Sequence, residues 1–185
     1  MLTIESLGGE LAGAARQKRA VLRLHEQVGR LFEEAREDVY RYLLTLGLYP
    51  AQAQETAQEV FLRLYATLRK GEEIRNARAW VFRVAHNLGL KVREREGPEL
   101  PFDPAVEARL QTLAPDPERG LLERERALRL HRAVEALSEQ QRRCLYLRLE
   151  GLRYPEIGSA LGISPSTVGE FLRRAIARLR KAHSE

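Results

Sequence analysis

Apolar residues recur every three or four positions along most of this chain, and nowhere alternate with polar ones for long, so the pattern predicts helices throughout. A first helix is expected from about Leu11 to His25 and beyond, with Gly8, Gly9 and Gly13 blurring its start. A second carries Phe32, Ala35, Val39, Tyr42, Leu43 and Leu46 on one face before Gly47 and Pro50 stop it. A third sets Ala53, Ala57, Val60, Phe61, Leu64 and Leu68 in a stripe and ends at Gly71, beside a charged loop from Lys70 to Arg75. A fourth, capped by Asn76, turns Trp80, Val81, Val84, Ala85, Leu88 and Val92 inward, and Arg78, Arg83, His86, Asn87, Lys91, Arg93 and Arg95 outward.

The pattern breaks after residue 96 and resumes at about Leu121. A helix to Leu137 precedes Ser138-Glu139-Gln140-Gln141, a capping box in which Ser138 and Gln141 satisfy one another's free backbone donors. The next helix is expected to bury Cys144, Leu145 and Leu149 and to end at Gly151.

Tyr154 to Lys181 then spells two helices joined by a tight turn. Pro155 and Pro165 suit the first turn of a helix, Gly162 suits the left-handed end of one, and Ser164 can cap the next. Beyond it Val168, Phe171, Leu172, Ala175, Ile176 and Leu179 form an inner stripe. The outer face carries Ser166, Thr167, Glu170, Arg173, Arg174, Arg178 and Lys181. A helix-turn-helix with a polar, largely basic second helix suits a DNA major groove, although a plain helical hairpin with a solvated Arg face has the same pattern.

Charge distribution changes this picture more than net charge does. Residues 1–95 carry 16 Lys/Arg against 12 Asp/Glu, residues 96–120 carry 2 against 6, and residues 121–185 carry 13 against 8. Pro98, Pro101, Pro104, Pro115 and Pro117 all fall in the acidic stretch, which forbids a long helix there. The expected architecture is therefore all-α: two small helical domains joined by a proline-rich acidic linker, the C-terminal one a four-helix helix-turn-helix domain. The expected boundaries are a helical N-terminal extension at 1–29, a first domain at 30–96, the linker at 97–120 and a second domain at 121–185. Basic ends suit phosphate contacts, and the acidic middle should avoid DNA.

Both halves resemble one family. Ala57-Gln58-Glu59-Val60-Phe61-Leu62-Arg63-Leu64-Tyr65 and Arg78-Ala79-Trp80-Val81-Phe82-Arg83-Val84-Ala85-His86-Asn87-Leu88 resemble the promoter-melting domain of extracytoplasmic-function (ECF) sigma factors of the sigma-70 family. Leu137-Ser138-Glu139-Gln140-Gln141-Arg142 through Arg174-Ala175 resembles the same family's second domain. The resemblance covers roughly residues 30 to 182, with the order and the proline-rich linker matching too.

It implies a bacterial transcription initiation factor, not an enzyme, that binds core RNA polymerase through its β and β′ subunits and directs it to promoter DNA. Glu55, Gln58, Glu59 and Leu62 would meet the polymerase clamp. Arg78, Arg83, Asn87 and Lys91 would serve the −10 element, with Asn87 contacting an opened base and the others holding phosphates; Trp80 is expected in the core. Ser166, Thr167, Glu170, Arg173, Arg174 and Arg178 would read the −35 duplex. Gly169-Glu170 departs from the family, which usually has a basic residue followed by a small polar one. An anti-sigma factor is a further implied partner.

Other classes find less in the sequence. A conventional helix-turn-helix regulator with a phosphoryl-accepting half would need clustered aspartates, yet Asp38 is the sole Asp before the linker. His25, His86, His131 and His183 are scattered without metal or triad spacing, so neither metal nor cofactor is expected. A lone cysteine excludes an internal disulfide, and Cys144 is expected buried and inert. No run of eighteen apolar residues exists and no secretory leader is visible, so a cytoplasmic protein without membrane insertion is expected.

Overall fold

A computed structural model describes the backbone of residues 4–96 and 121–184, with side chains from residue 18 onward in the first segment and from about 126 in the second. The expected linker at 97–120 lies outside the described residues. Among the described residues there are seven helices and no strand: α1 (Ile4–Thr45), α2 (Pro50–Arg69), α3 (Ala77–Glu96), α4 (Leu121–Glu135), α5 (Glu139–Leu149), α6 (Tyr154–Leu161) and α7 (Pro165–Ser184).

The first two expected helices are one. No proline interrupts residues 4–45, and Val28 and Leu31 join the lower stripe of α1 to the upper by packing against the core. Helix α1 then lies against α2 and α3, with Ala35, Val39, Tyr42, Leu43 and Leu46 buried against Val60, Leu64, Val81 and Phe82. Each large side chain so buried contributes roughly 1.5–3 kcal/mol from the removal of apolar surface from water.

The local stops behave as their chemistry requires. Asn76 Oδ1 accepts from Ala79 N at 3.0 Å at the start of α3, and Ser138 Oγ accepts from Gln141 N at 3.3 Å while Gln141 Oε1 accepts from Ser138 N at 3.1 Å. Cys144 is fully buried, and burial pushes its thiol up to about 11, which keeps it protonated and unreactive at neutral pH.

Four inward–outward assignments need correction, one of them Ile176, expected on the inner stripe of α7 but 39% exposed. His86 is buried rather than exposed: it follows Phe82 by four residues on the same face of α3, and its Nδ1 lies 2.9 Å from Tyr42 Oη. Phe82, absent from the expected stripe, has no exposure at all. Leu149 is 77% exposed, because Cys144, Leu147 and Leu152 form the inner path and Leu149 lies about 200° around the helix from Leu147.

The two halves pack on one another. Helix α3 lies against α6, and buried residues from both segments, Tyr42 and Phe82 with Leu147, Ile157 and Leu172, belong to a single hydrophobic cluster.

Candidate nucleic-acid interface

The helix-turn-helix is assembled from close backbone approaches. Gly162 ends α6 with φ of 68°, and Ile163 N donates to Gly158 O at 3.0 Å. Gly158 is required for this turn, since a Cβ there would lie 2.6 Å from the Ile163 carbonyl oxygen. Ser164 Oγ accepts from Thr167 N at 3.1 Å and lies 2.8 Å from both Ser166 Oγ and Thr167 Oγ1, so the entry to α7 is a hydroxyl cluster. Val168, Leu172 and Ala175 fix the inner face of α7 in the core.

On its outer face, Arg173 and Arg174 are exposed and both pair with Glu170. Each carboxylate oxygen takes one guanidinium, Oε1 at 2.7 Å from Arg174 Nη2 and Oε2 with Arg173. The Arg173 hydrogen bond, with the two positive charges, holds the Glu170 carboxyl below its ordinary range. Arg178 turns instead toward its own domain and donates to Ala136 O at 2.9 Å, closing the end of α4. Ser166, Arg173 and Arg174 are thus exposed on one helix, with Glu170 tying the two arginines together.

Helix α3 presents a second polar stripe. Arg83, Asn87 and Lys91 follow at intervals of four and are all exposed. Arg78 stands about 140° away from that stripe and points toward the other half. Its Nη2 donates to Asp38 Oδ2 at 2.8 Å and also to the Glu150 carboxylate, while its Nε donates to Glu150 O at 3.0 Å. Burial works against the charge on Asp38, but hydrogen bonds from Arg78 and Arg41 outweigh it and lower its pKa. Burial, reinforced by the nearby Asp38 charge, raises that of Glu150.

Between the loop before α3 and helix α6 lies an open cleft of about 450 Å³, lined by Ile74, Asn76, Trp80 and Arg83 on one side and Pro155, Glu156 and Ser159 on the other. Trp80, expected in the core, is half-buried and forms part of this wall. Asn76 Nδ2 donates across the cleft to Glu156 Oε1 at 2.7 Å.

Helix α2 offers a different surface. Glu55, Gln58, Glu59 and Leu62 lie on one exposed face, with Leu62 64% exposed and Glu59 paired to Arg63 at 2.7 Å. Sequence reasoning did not find Asp38, Glu150 and Glu156 as partners of the candidate DNA-facing residues. Their contacts span 40 to 80 positions of chain, for which no local pattern gives a signal.

A helix-turn-helix with an exposed basic face, behind a helical unit with its own polar stripe, defines a two-part DNA-binding protein. Comparison with known proteins narrows this. The sigma-70 region 2 family matches residues 31–97, and the sigma-70 region 4 family matches residues 127–179. The ECF RNA polymerase sigma factor SigL of Mycobacterium tuberculosis is 30% identical over 179 residues, spanning 92% of this chain and 93% of SigL. The ECF RNA polymerase sigma factor SigE of Mycolicibacterium smegmatis is 27% identical over 152 residues, or 81% of this chain and 59% of that longer relative. Among solved structures, CnrH in complex with the cytosolic domain of CnrY has a TM-score of 0.58 at 21% identity, with 89% of this chain and 92% of that one covered. RpoE of Bartonella quintana, in complex with the anti-sigma factor NepR, has a TM-score of 0.58 at 17% identity, covering 85% and 96%. These two share the fold. The chain belongs to the ECF sigma factors of the sigma-70 family, and is a sigma factor for transcription initiation. No described helix is long and apolar enough to cross a membrane.

Proposed function

We propose that this protein binds core RNA polymerase and grips a promoter at two points, reading the −35 duplex with α7 and holding an opened −10 strand with α3 and the loop before it. The observation that carries this reading is the pair of exposed polar helix faces, Arg83-Asn87-Lys91 on α3 and Ser166-Arg173-Arg174 on α7, each within a segment matched by a different sigma-70 region.

In the major groove, an arginine that pairs bidentately with guanine gives about 1–3 kcal/mol of discrimination, and Glu170 can accept from a cytosine amine. Arg174 is the first candidate for the guanine. Thr167 supports the cap of α7, and Arg178 braces the helix against α4, so both position the reading face. At the −10 element, unstacking a base costs a few kcal/mol, which hydrogen bonds from Asn87 can offset while Arg83 and Lys91 hold phosphates. Arg78 joins them only when its bonds to Asp38 and Glu150 open.

Helix α2 would dock on the polymerase through Glu55, Gln58, Glu59 and Leu62, an exposed leucine set among polar groups. The acidic linker at 97–120 would thread into a polymerase channel that normally holds nucleic acid, its carboxylates standing in for phosphates. An anti-sigma factor would act by covering these same surfaces.

Reconstituted transcription tests the reading. Core polymerase with this protein should start RNA at discrete promoters and core alone should not. Failure to bind core, together with tight binding to duplex DNA by the protein alone, would replace it with a conventional helix-turn-helix regulator.

A further inference from the structure

Glu170 is the one acid in α7, and its surroundings are lopsided. Three and four residues back, Thr167 and Ser166 keep their hydroxyls 2.8 Å from Ser164 Oγ, within the cap of the helix. Three and four residues on stand Arg173 and Arg174, at the spacings where side chains of one helix meet. Each arginine takes one carboxylate oxygen through its Nη2, Arg174 at 2.7 Å from Oε1 and Arg173 on Oε2. The guanidiniums lie outside the acid, since the side chains of Arg173 and Arg174 are 74% and 63% exposed against 35% for Glu170.

Ion pairs this open to water add little to folding stability. Their effect falls on what the arginines can do next. A free arginine gives up rotamer freedom when it binds, and one already pinned to a carboxylate has given up part of it beforehand. A guanidinium donates through a rigid fork of N–H groups, so a bond through Nη2 leaves Nη1 and Nε for the O6 and N7 of a guanine. The acid also cancels part of the positive charge on this face and repels phosphate, which loosens the hold on DNA of any sequence. Specificity is a difference of affinities, and both effects widen that difference.

We propose that Glu170 is a positioning residue of the upstream-reading helix, holding Arg173 and Arg174 as one preset pair of donors and reading no base itself. This role rests on the promoter reading above, and replaces the cytosine contact that a free carboxylate could make. The pair gives up some grip on arbitrary duplex for sharper discrimination at the bases that the two arginines meet.

The test uses holoenzyme reconstituted from core polymerase and the full chain. A promoter mapped with the wild-type protein has its upstream element randomised, and the templates that yield transcripts are sequenced. Arg173→Ala and Arg174→Ala define the positions that each arginine reads. Glu170→Gln keeps the shape but gives up the charge and one of the two acceptor oxygens, and should reduce base preference at those positions by about five-fold. The same holoenzyme should bind a duplex of arbitrary sequence as tightly as wild type or more so, because a negative charge has left the DNA-facing surface. With both arginines already replaced by alanine, Glu170→Gln should alter base preference by about two-fold or less. Preference at the downstream element should be equal in every variant, which reports that each chain is folded and bound to core. A base pair whose preference is abolished by Glu170→Gln but kept by both arginine variants would make Glu170 a direct reader and overturn the proposal. An upstream profile of Glu170→Gln identical to that of wild type would overturn it too. A wild-type holoenzyme without any preference in the upstream element would instead refute the promoter reading, and the role of Glu170 with it.

Discussion

Helices α3 and α7 begin from the same sequence signature, one apolar face and one basic face, and meet different fates. The basic face of α7 stays open to solvent at Arg173 and Arg174, which pair with Glu170 of the same helix, while Arg178 donates to Ala136 O of its own half. The polar face of α3 is divided. Arg83, Asn87 and Lys91 remain exposed, while Arg78 and Arg93 are bonded to Glu150 and Glu139 of the other half, and His86 is buried against Tyr42. The difference teaches that a helical wheel says which residues lie together on a face, but not whether that face meets water or another part of the chain.

Substitutions in the two helices should have different consequences. The largest effect is expected in the core of α3: Phe82→Ala should cost about 3–5 kcal/mol in denaturant unfolding, since the ring is wholly buried and packs edge-on against Tyr42. A loss below 1 kcal/mol would mean that α3 is not held as described.

Next comes acid. Burial, with Arg143's charge adding, lowers His86 to about 4 from an unperturbed 6.5. Its folded pKa is depressed, so protons favour the unfolded chain between the two values. The neutral imidazole contributes its full share above pH 6.5, and that share falls away as pH drops toward 4, by on the order of 2–3 kcal/mol. His86→Gln, which retains a hydrogen-bonding group for Tyr42, should flatten this stretch of the stability–pH curve. An identical slope in wild type and variant would place the titration elsewhere.

Arg78→Ala and Arg174→Ala form the direct comparison between the two helices. Removing Arg78 leaves Asp38 and Glu150 facing one another without their shared cation, at a cost of about 1–3 kcal/mol, reduced from the fully buried case because the side chains keep 31, 22 and 16% exposure. Removing Arg174 should change stability by no more than about 0.5 kcal/mol, because that residue is solvent-exposed, while weakening holoenzyme binding to an upstream duplex by about ten-fold. Equal destabilisation by the two substitutions would erase the distinction.

Much of the fold was legible because local rules carry it. The capping box at Ser138, the Asn76 cap, the left-handed Gly162 and the stripes of α2 and α7 each depend on residues within four positions of one another. The join of two expected helices into α1 was hidden by the gap in the apolar stripe between His25 and Phe32, which Val28 and Leu31 bridge only because α2 lies beside them. The family and its two regions were legible from motif order. The candidate site was legible as a set of faces, with Asn87 and Arg174 exposed among them, but not as a set of partners. Arg78's engagement depends on Asp38 and Glu150, brought together by tertiary packing alone. Leu149 shows the same limit within one helix: its place in an apolar run suggested burial, and the rotation from Leu147 sends it outward.

The central claim is that one chain grips a promoter at two places with two different helices. Its most direct test is to sequence the 5′ ends of transcripts made by reconstituted holoenzymes carrying the wild-type protein, Arg174→Ala or Asn87→Ala. Discrete start sites are expected with the wild-type protein. Arg174→Ala should lose sensitivity to base changes in the upstream element alone, and Asn87→Ala to changes in the downstream element alone. Start sites insensitive to both substitutions, or both substitutions altering the same element, would contradict it.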